Sequence, residues 1–256
     1  MRFDQLLDSG KPLKSRVIRK PKFLPIPPKK YNLSDYALSY FDGKRWKIVF
    51  LDDALQYPVI HDQYFDELLK KDDENIISDI SFTFCPFSFS GVVYFEKFVP
   101  SGEVYNNNMI LSDEENIKLL HQLSGKMYIR KSTEELKDYL RKGEVKIMSF
   151  RSALSLYPDC LFFHNKKPQT ELVDKSYINN KFIVYGILYN SSNVRKNTKS
   201  SMVVISKQES FDYLKSGYHK YFEEHMDKIK EKGGIIIPCF WSAWKLNFPD
   251  SKIVEI

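Results

Sequence analysis

The sequence predicts an α+β fold built mainly on antiparallel sheet, with a few helices, an internal duplication and an extended N-terminal arm. Three observations carry this expectation. The 256-residue chain holds 19 Phe and 16 Tyr against only 10 Gly, and aromatic side chains favour pleated, half-buried surfaces. Several short runs alternate with period two. Only two stretches combine helical periodicity with recognisable start and stop signals.

The elements follow in chain order. Segment 11-KPLKSRVIRKPKFLPIPPKK-30 holds eight basic residues, five prolines and no acid. Proline removes backbone donors and biases its predecessor away from helix, so residues 1–30 read as a basic, proline-rich extended arm. Its candidate partner-binding residues are Lys11, Lys14, Arg16, Arg19, Lys20, Lys22, Phe23, Lys29 and Lys30. Residues 31–256 read as one α+β domain with two pseudo-repeat halves, at 31–165 and 166–256. In 80-ISFTFCPFSF-89, Ile80, Phe82 and Phe84 fall on one face and Ser81, Thr83 and Cys85 on the other, and Pro86 interrupts pairing. A second strand is expected at 91-GVVYFEKF-98, a turn at 101-SGEV-104, and further strands at 145-VKIM-148, 182-FIVYGILY-189 and 202-MVVIS-206.

The first helix is expected from the capping box Ser132–Glu135 to Gly143, with Leu136, Tyr139 and Leu140 as its apolar stripe. A longer one is expected over 210–232, where Phe211, Leu214, Tyr218, Phe222 and Ile229 recur near the 3.6-residue period. Gly217 is its weak point and Gly233-Gly234 its stop. The duplication rests on an echo between 150-FRSALSLYPDC-160 and 240-FWSAWKLNFPDS-251. Both read Phe-x-Ser-Ala, a short amphipathic stretch, then aromatic-Pro-Asp.

Composition excludes several function classes. The longest apolar run, 182–189, is far short of a bilayer-spanning helix, and the first residues lack the apolar core of a signal peptide. Removing the eight bases of segment 11–30 leaves 31 basic residues against 33 acidic. The body beyond the arm is therefore no nucleic-acid surface on charge grounds. Cys85, Cys160 and Cys239 are odd in number and widely spaced, which suits reduced, buried thiols and an intracellular reducing compartment, cytoplasm or organelle matrix. No Walker loop, GxGxxG, GxSxG or HExxH pattern occurs. His219, Glu223, Glu224 and His225 have helical ligand spacing but read as a solvated face, so neither metal nor cofactor is expected.

The region around Cys85 carries the candidate chemistry. Upstream lies 57-YPVIHDQ-63 and downstream 105-YNNNMILSDEENIKLLHQLSG-125, rich in multivalent hydrogen-bonding residues such as Asn106 and Asn108. A thiol with His61 or His121, oriented by Asp62, Asp113 or Gln122, is a nucleophilic or metal-binding set in type. The competing reading of His61–Asp62 is a structural hydrogen-bonded pair.

Four stretches in order, 83-TFCPFSFSG-91, 105–125, 149-SFRSALSLYPDC-160 and 240-FWSAWKLNFPDS-251, together with 54-ALQYPVIHD-62, resemble a bacterial family of unknown function. Its members read TYCPLCGSA, YNSNLVMYDRxTxSLWSQLTG, a segment ending HPDT, and FWFAWxxFxPxT. The resemblance implies a paired-cysteine metal or redox site in the family. Here the second cysteine is Ser88, the Asp-Arg pair is Asp113-Glu114, the Thr is Asn116, and the Trp is Leu120 before His121-Gln122. It therefore implies a relative that kept the fold and lost the site. The expected function is a non-enzymatic scaffold or accessory subunit in a protein complex, docking through the arm and an aromatic surface. The alternatives are a thiol- or metal-dependent enzyme at Cys85, and an RNA-contacting protein acting through residues 11–30.

Overall fold

The alternation from Ile80 to Cys85 lies in a long hairpin, β6 (Val59–Lys71) with β7 (Glu74–Cys85), that anchors a five-stranded sheet. These features come from a computed structural model describing residues 6–8, 16–71, 74–130, 132, 135–136, 140–165, 183–189, 201–205 and 217–255. On β7, Ile80, Phe82 and Phe84 join a core with Tyr40, Val49, Phe89 and Phe240. Cys85 faces a different core, with Met109, Leu111, Cys239 and Trp244. The strand ends at Cys85, before Pro86, and the chain turns through Phe89 at φ +52° into β8 (Ser90–Tyr94).

β8 pairs onward to β14 (Lys142–Glu144), and β2 (Val17–Ile18) adds in parallel to the far edge at β6. A second sheet orders β15 (Lys146–Ser149), β4 (Tyr36–Phe41), β5 (Trp46–Phe50), β16 (Leu161–Phe163) and β3 (Phe23–Leu24). A third sheet runs β1 (Leu7–Asp8), β9 (Val99–Tyr105), β10 (Asn108–Ser112), β11 (Lys118–His121), β12 (Met127–Ile129) and β13 (Glu135–Leu136), antiparallel throughout. The fourth orders β19 (Gly234–Phe240), β17 (Ile183–Tyr189), β18 (Ser201–Ile205) and β20 (Lys252–Glu255). The architecture is mainly antiparallel sheet with few helices, as the sequence predicts.

Three strand–helix–strand joints share one design. β5 runs into α1 (Leu51–Gln56), then Tyr57-Pro58 and β6. β15 runs into α2 (Phe150–Leu156), then Tyr157-Pro158 and β16. β19 runs into α4 (Trp241–Asn247), then Phe248-Pro249 and β20. The residues that end the helices have near-identical backbones, at φ/ψ −126/81°, −131/68° and −136/62°. Each N–H returns to the carbonyl four residues back, at 2.8, 2.9 and 2.8 Å. The proline that follows cannot continue the helix and holds the aromatic residue before it out of α conformation. Each joint delivers a strand that pairs in parallel with a neighbour: β6 with β2, β16 with β5, β20 with β18. The echo at 150 and 240 thus takes a common local form, and 50–58 takes it as well.

Three local expectations change. Residues 132–143 are not helical where described: Glu135–Leu136 pairs with β12, and Lys142–Glu144 with β8. Sheet edges offered by β12 and β8 outweigh a capping signal in isolation. The stretch 101–104 is not the turn but lies within β9, where Met109↔Val104 and Leu111↔Pro100 show a two-residue bulge at Gly102 (φ +89°). The turn falls at Asn106-Asn107, both left-handed. The long helix is described as α3 (Gly217–Glu231), and residues 210–216 of the expected span lie outside those described.

One apolar core spans the expected halves, joining Val17, Cys85, Val92 and Leu111 to Val184, Cys239 and Trp244. Trp244 packs so tightly on β17 that a Cβ at Gly186 would come within 1.8 Å of its ring. From Arg16 onward the arm lies against the body. Val17 is buried, and Phe23 meets the rings of Tyr40 and Phe163 at 6.4 and 5.8 Å.

Candidate functional site

Strand alternation sends Thr83 and Cys85 to the face of β7 opposite Phe82 and Phe84. Ser90, pairing with Cys85, starts β8, while Asn108 starts β10 and Gln122 follows β11. These ends converge on a fully enclosed polar cluster of Thr83, Ser88, Ser90, Asn108 and Gln122 beside Cys85, all completely buried. Gln122 Nε2 donates to Thr83 Oγ1 (3.2 Å) and the Ser90 carbonyl (3.1 Å). Its Oε1 accepts from Ser90 Oγ (2.9 Å) and Asn108 Nδ2 (3.0 Å). All four hydrogen-bonding sites of the amide are therefore used. Asn108 also donates to Ser88 Oγ (2.7 Å) and accepts the Leu123 N–H (2.9 Å), and Tyr94 OH donates to the Gln122 carbonyl (2.6 Å).

Proton directions follow from these contacts. Ser90 spends its hydrogen on Gln122, so in the 2.7 Å Ser88–Ser90 contact Ser88 is the donor. The hydroxyl chain leading away from Cys85 therefore ends on an amide oxygen, which is no base. Cys85 Sγ accepts the Met109 N–H (3.2 Å) and further hydrogen bonds from the backbone N–H groups of Phe87 and Ser88. Burial dominates those contacts and pushes the thiol up. An uncharged, buried thiol is a poor nucleophile.

The other candidates stand apart. His61 pairs with Ser81, on the same face as Cys85 but four residues along the strand, about 14 Å away. Its Nε2 contacts the Phe98 carbonyl at 2.7 Å, and burial lowers its pKa. Asp62 points to the opposite face, so the two neighbours form no pair. It accepts from Tyr40 OH (2.7 Å) and Lys47 Nζ (2.6 Å), and Lys47 also reaches Asp42 at 2.9 Å. Phe23 lies over this ammonium at 4.8 Å, so the arm roofs a buried ionic cluster that the sequence did not bring to attention. Its signal was strand parity, which sets Lys47 beside inward-facing Val49.

Asp113 is a turn former whose Oδ1 accepts the Ile117 and Lys118 N–H groups (2.7 and 3.1 Å). His121 packs on the sheet face away from Cys85, edge-on to Tyr105. Its Nδ1 accepts the Ser124 N–H (3.2 Å), so the proton sits on Nε2, which makes no hydrogen bond of good geometry. Burial lowers its pKa from 6.5 to about 4, with Lys126 and Lys142 adding to the shift. Of the six candidates, only Gln122 shares the cluster beside Cys85. His219, Glu223, Glu224 and His225 fall on α3. Among the described residues no three His, Cys, Asp or Glu side chains are placed to hold a metal ion, and no helix is long and apolar enough to cross a membrane.

Of the arm candidates, Lys11 and Lys14 lie outside the described residues. Arg19, Lys20, Lys22, Lys29 and Lys30 are exposed, and Arg16 and Phe23 half-buried. Arg19 meets Glu114 and Lys30 meets Asp53, each at 3.1 Å.

The fold and the cluster define a mainly antiparallel α+β protein with a closed polar centre. The chain belongs to the family described as "Protein of unknown function (DUF3179)", which matches residues 72–228. No curated protein and no solved structure matches it.

Proposed function

We propose that this chain is a non-enzymatic scaffold or accessory subunit of a larger assembly, engaging it through the outward, basic side of the arm. The observation that carries this reading is the saturation of the Gln122 cluster. Every hydrogen-bonding site of its central amide is used internally, and the adjoining thiol is buried and has no base. Such a cluster specifies a core; it offers neither a free donor nor a vacant acceptor to a substrate. Ser88 then stands where the resembled family carries its second cysteine, and a serine hydroxyl does not replace a soft thiolate ligand. The shared form of the joints at 50–58, 150–158 and 240–249 supports duplication of one strand–helix–strand unit.

Native purification from the source cells, with mass spectrometry of co-eluting chains, tests the reading. Stoichiometric recovery in a complex is expected, together with alkylation of Cys85 no faster than that of an unfolded thiol. Recovery as a free monomer whose Cys85 reacts faster than an unfolded thiol would overturn it in favour of thiol chemistry.

A further inference from the structure

From Arg16 onward the arm is fixed on its inner side by strand pairing. Val17 and Ile18 pair with Val59 and Ile60, and Phe23 and Leu24 pair with Phe163 and Phe162. Between Pro25 and Pro27-Pro28, Ile26 stands out at 70% exposure, above the other exposed large apolar side chains described. Its carbonyl contacts His164 Nε2 at 2.7 Å, which ties the tip to the body. Lys20, Lys22 and Lys29 are exposed along the same segment and make no ion pair among the described residues. An apolar side chain held outward on a proline-framed tip, with exposed lysines before and after it in the chain, loses little conformational entropy on docking.

We propose that this edge docks an acidic protein face bearing an apolar socket, with Ile26 inserted and Lys20, Lys22 and Lys29 as the charged rim. The inference rests on the accessory-subunit reading and names the partner's chemistry. A nucleic acid fits worse on two counts. Among the described residues of the arm the aromatic ring is Phe23, half-buried and engaged with Tyr40 and Phe163, so it is not offered for base stacking. Arg19 also brings Glu114, 57% exposed, to the same edge, and Glu115 is exposed beside it. These carboxylates repel a uniform polyanion, and they repel an anionic bilayer equally. A protein face can match mixed charge around an apolar centre.

The test places the photo-crosslinker p-benzoylphenylalanine at position 26 of the full chain in the source cells, followed by irradiation and peptide sequencing. The expected adduct is one protein, joined through a segment with Asp or Glu flanking an apolar residue. Lys20→Glu, Lys22→Glu and Lys29→Glu together should lower its yield tenfold or more. Near-UV circular dichroism checks that this triple variant folds, and opposite reversals on the partner should restore the yield. An adduct with RNA or lipid, or with protein segments lacking acids, overturns the inference and leaves the accessory reading standing. So does the absence of any adduct while the chain still co-purifies in a complex. No adduct together with a free monomer overturns both.

Discussion

At His121 a single imidazole couples folding to acidity. The ring is neutral inside the protein, its pKa lowered from 6.5 to about 4 chiefly by burial. Between those values the unfolded chain binds a proton that the folded chain does not. Stability contributed by the neutral ring is therefore present above about pH 6.5 and falls as pH drops towards 4, by about 3 kcal/mol at most. Denaturant titrations from pH 7 to pH 4 should show that loss in the native chain. The difference from His121→Phe should isolate it, because carboxylates elsewhere titrate in both proteins. A parallel pH profile in the variant would mean that His121 is already solvated. This residue was legible in the sequence as a polar candidate, but its side of the sheet was not. Partnering with Cys85 depended on register, and β10–β11 pairing, with Ile110 opposite His121, sends the ring to the other face. Gln122, one position on and past the strand end, turns inward instead.

For the elements, local signals held where the packing agreed with them. β7 ends at Cys85 before Pro86, and α3 closes before Gly233, whose φ of +63° takes the chain into β19. The Ser132–Glu135 box failed because Leu136 was claimed by the core and residues 142–144 by the edge of β8. The bulge in β9 was unreadable because Ser101 builds it by long-range contact, donating to the Ile110 carbonyl (2.8 Å). The anchoring of residues 16–30 was not legible, since their partners lie far along the chain. That anchoring makes a prediction. Phe23→Ala removes half-buried ring contacts and uncovers Lys47, costing about 2 kcal/mol and raising arm opening roughly 30-fold. Tryptic cleavage after Arg19 and Lys22 should accelerate accordingly while the body stays intact. Unchanged cleavage would mean that the backbone pairings of β2 and β3 alone hold the arm.

Taken whole, the molecule shares its cores across the boundary between the expected pseudo-repeat halves. Trp244 and Cys239 share one core with Val17, Cys85 and Leu111, and Phe240 closes a second core beside Phe84 and Phe89. Residues on both sides of position 165 therefore stabilise each other, and unfolding should be a single cooperative event. Urea transitions followed by tryptophan fluorescence and by far-ultraviolet circular dichroism should coincide; two separated midpoints would mean that the halves unfold independently. The anchoring of the arm carries one more consequence, in the order of synthesis. Ile26 and the histidine that fixes it are 138 residues apart, and β3 waits for β16 over nearly the same interval. At roughly 5–20 residues per second, that is a delay on the order of ten seconds. Residues 23–26 are thus seated only after residues 162–164 have been made, and a nascent chain carries this basic, apolar-tipped segment undocked over that interval.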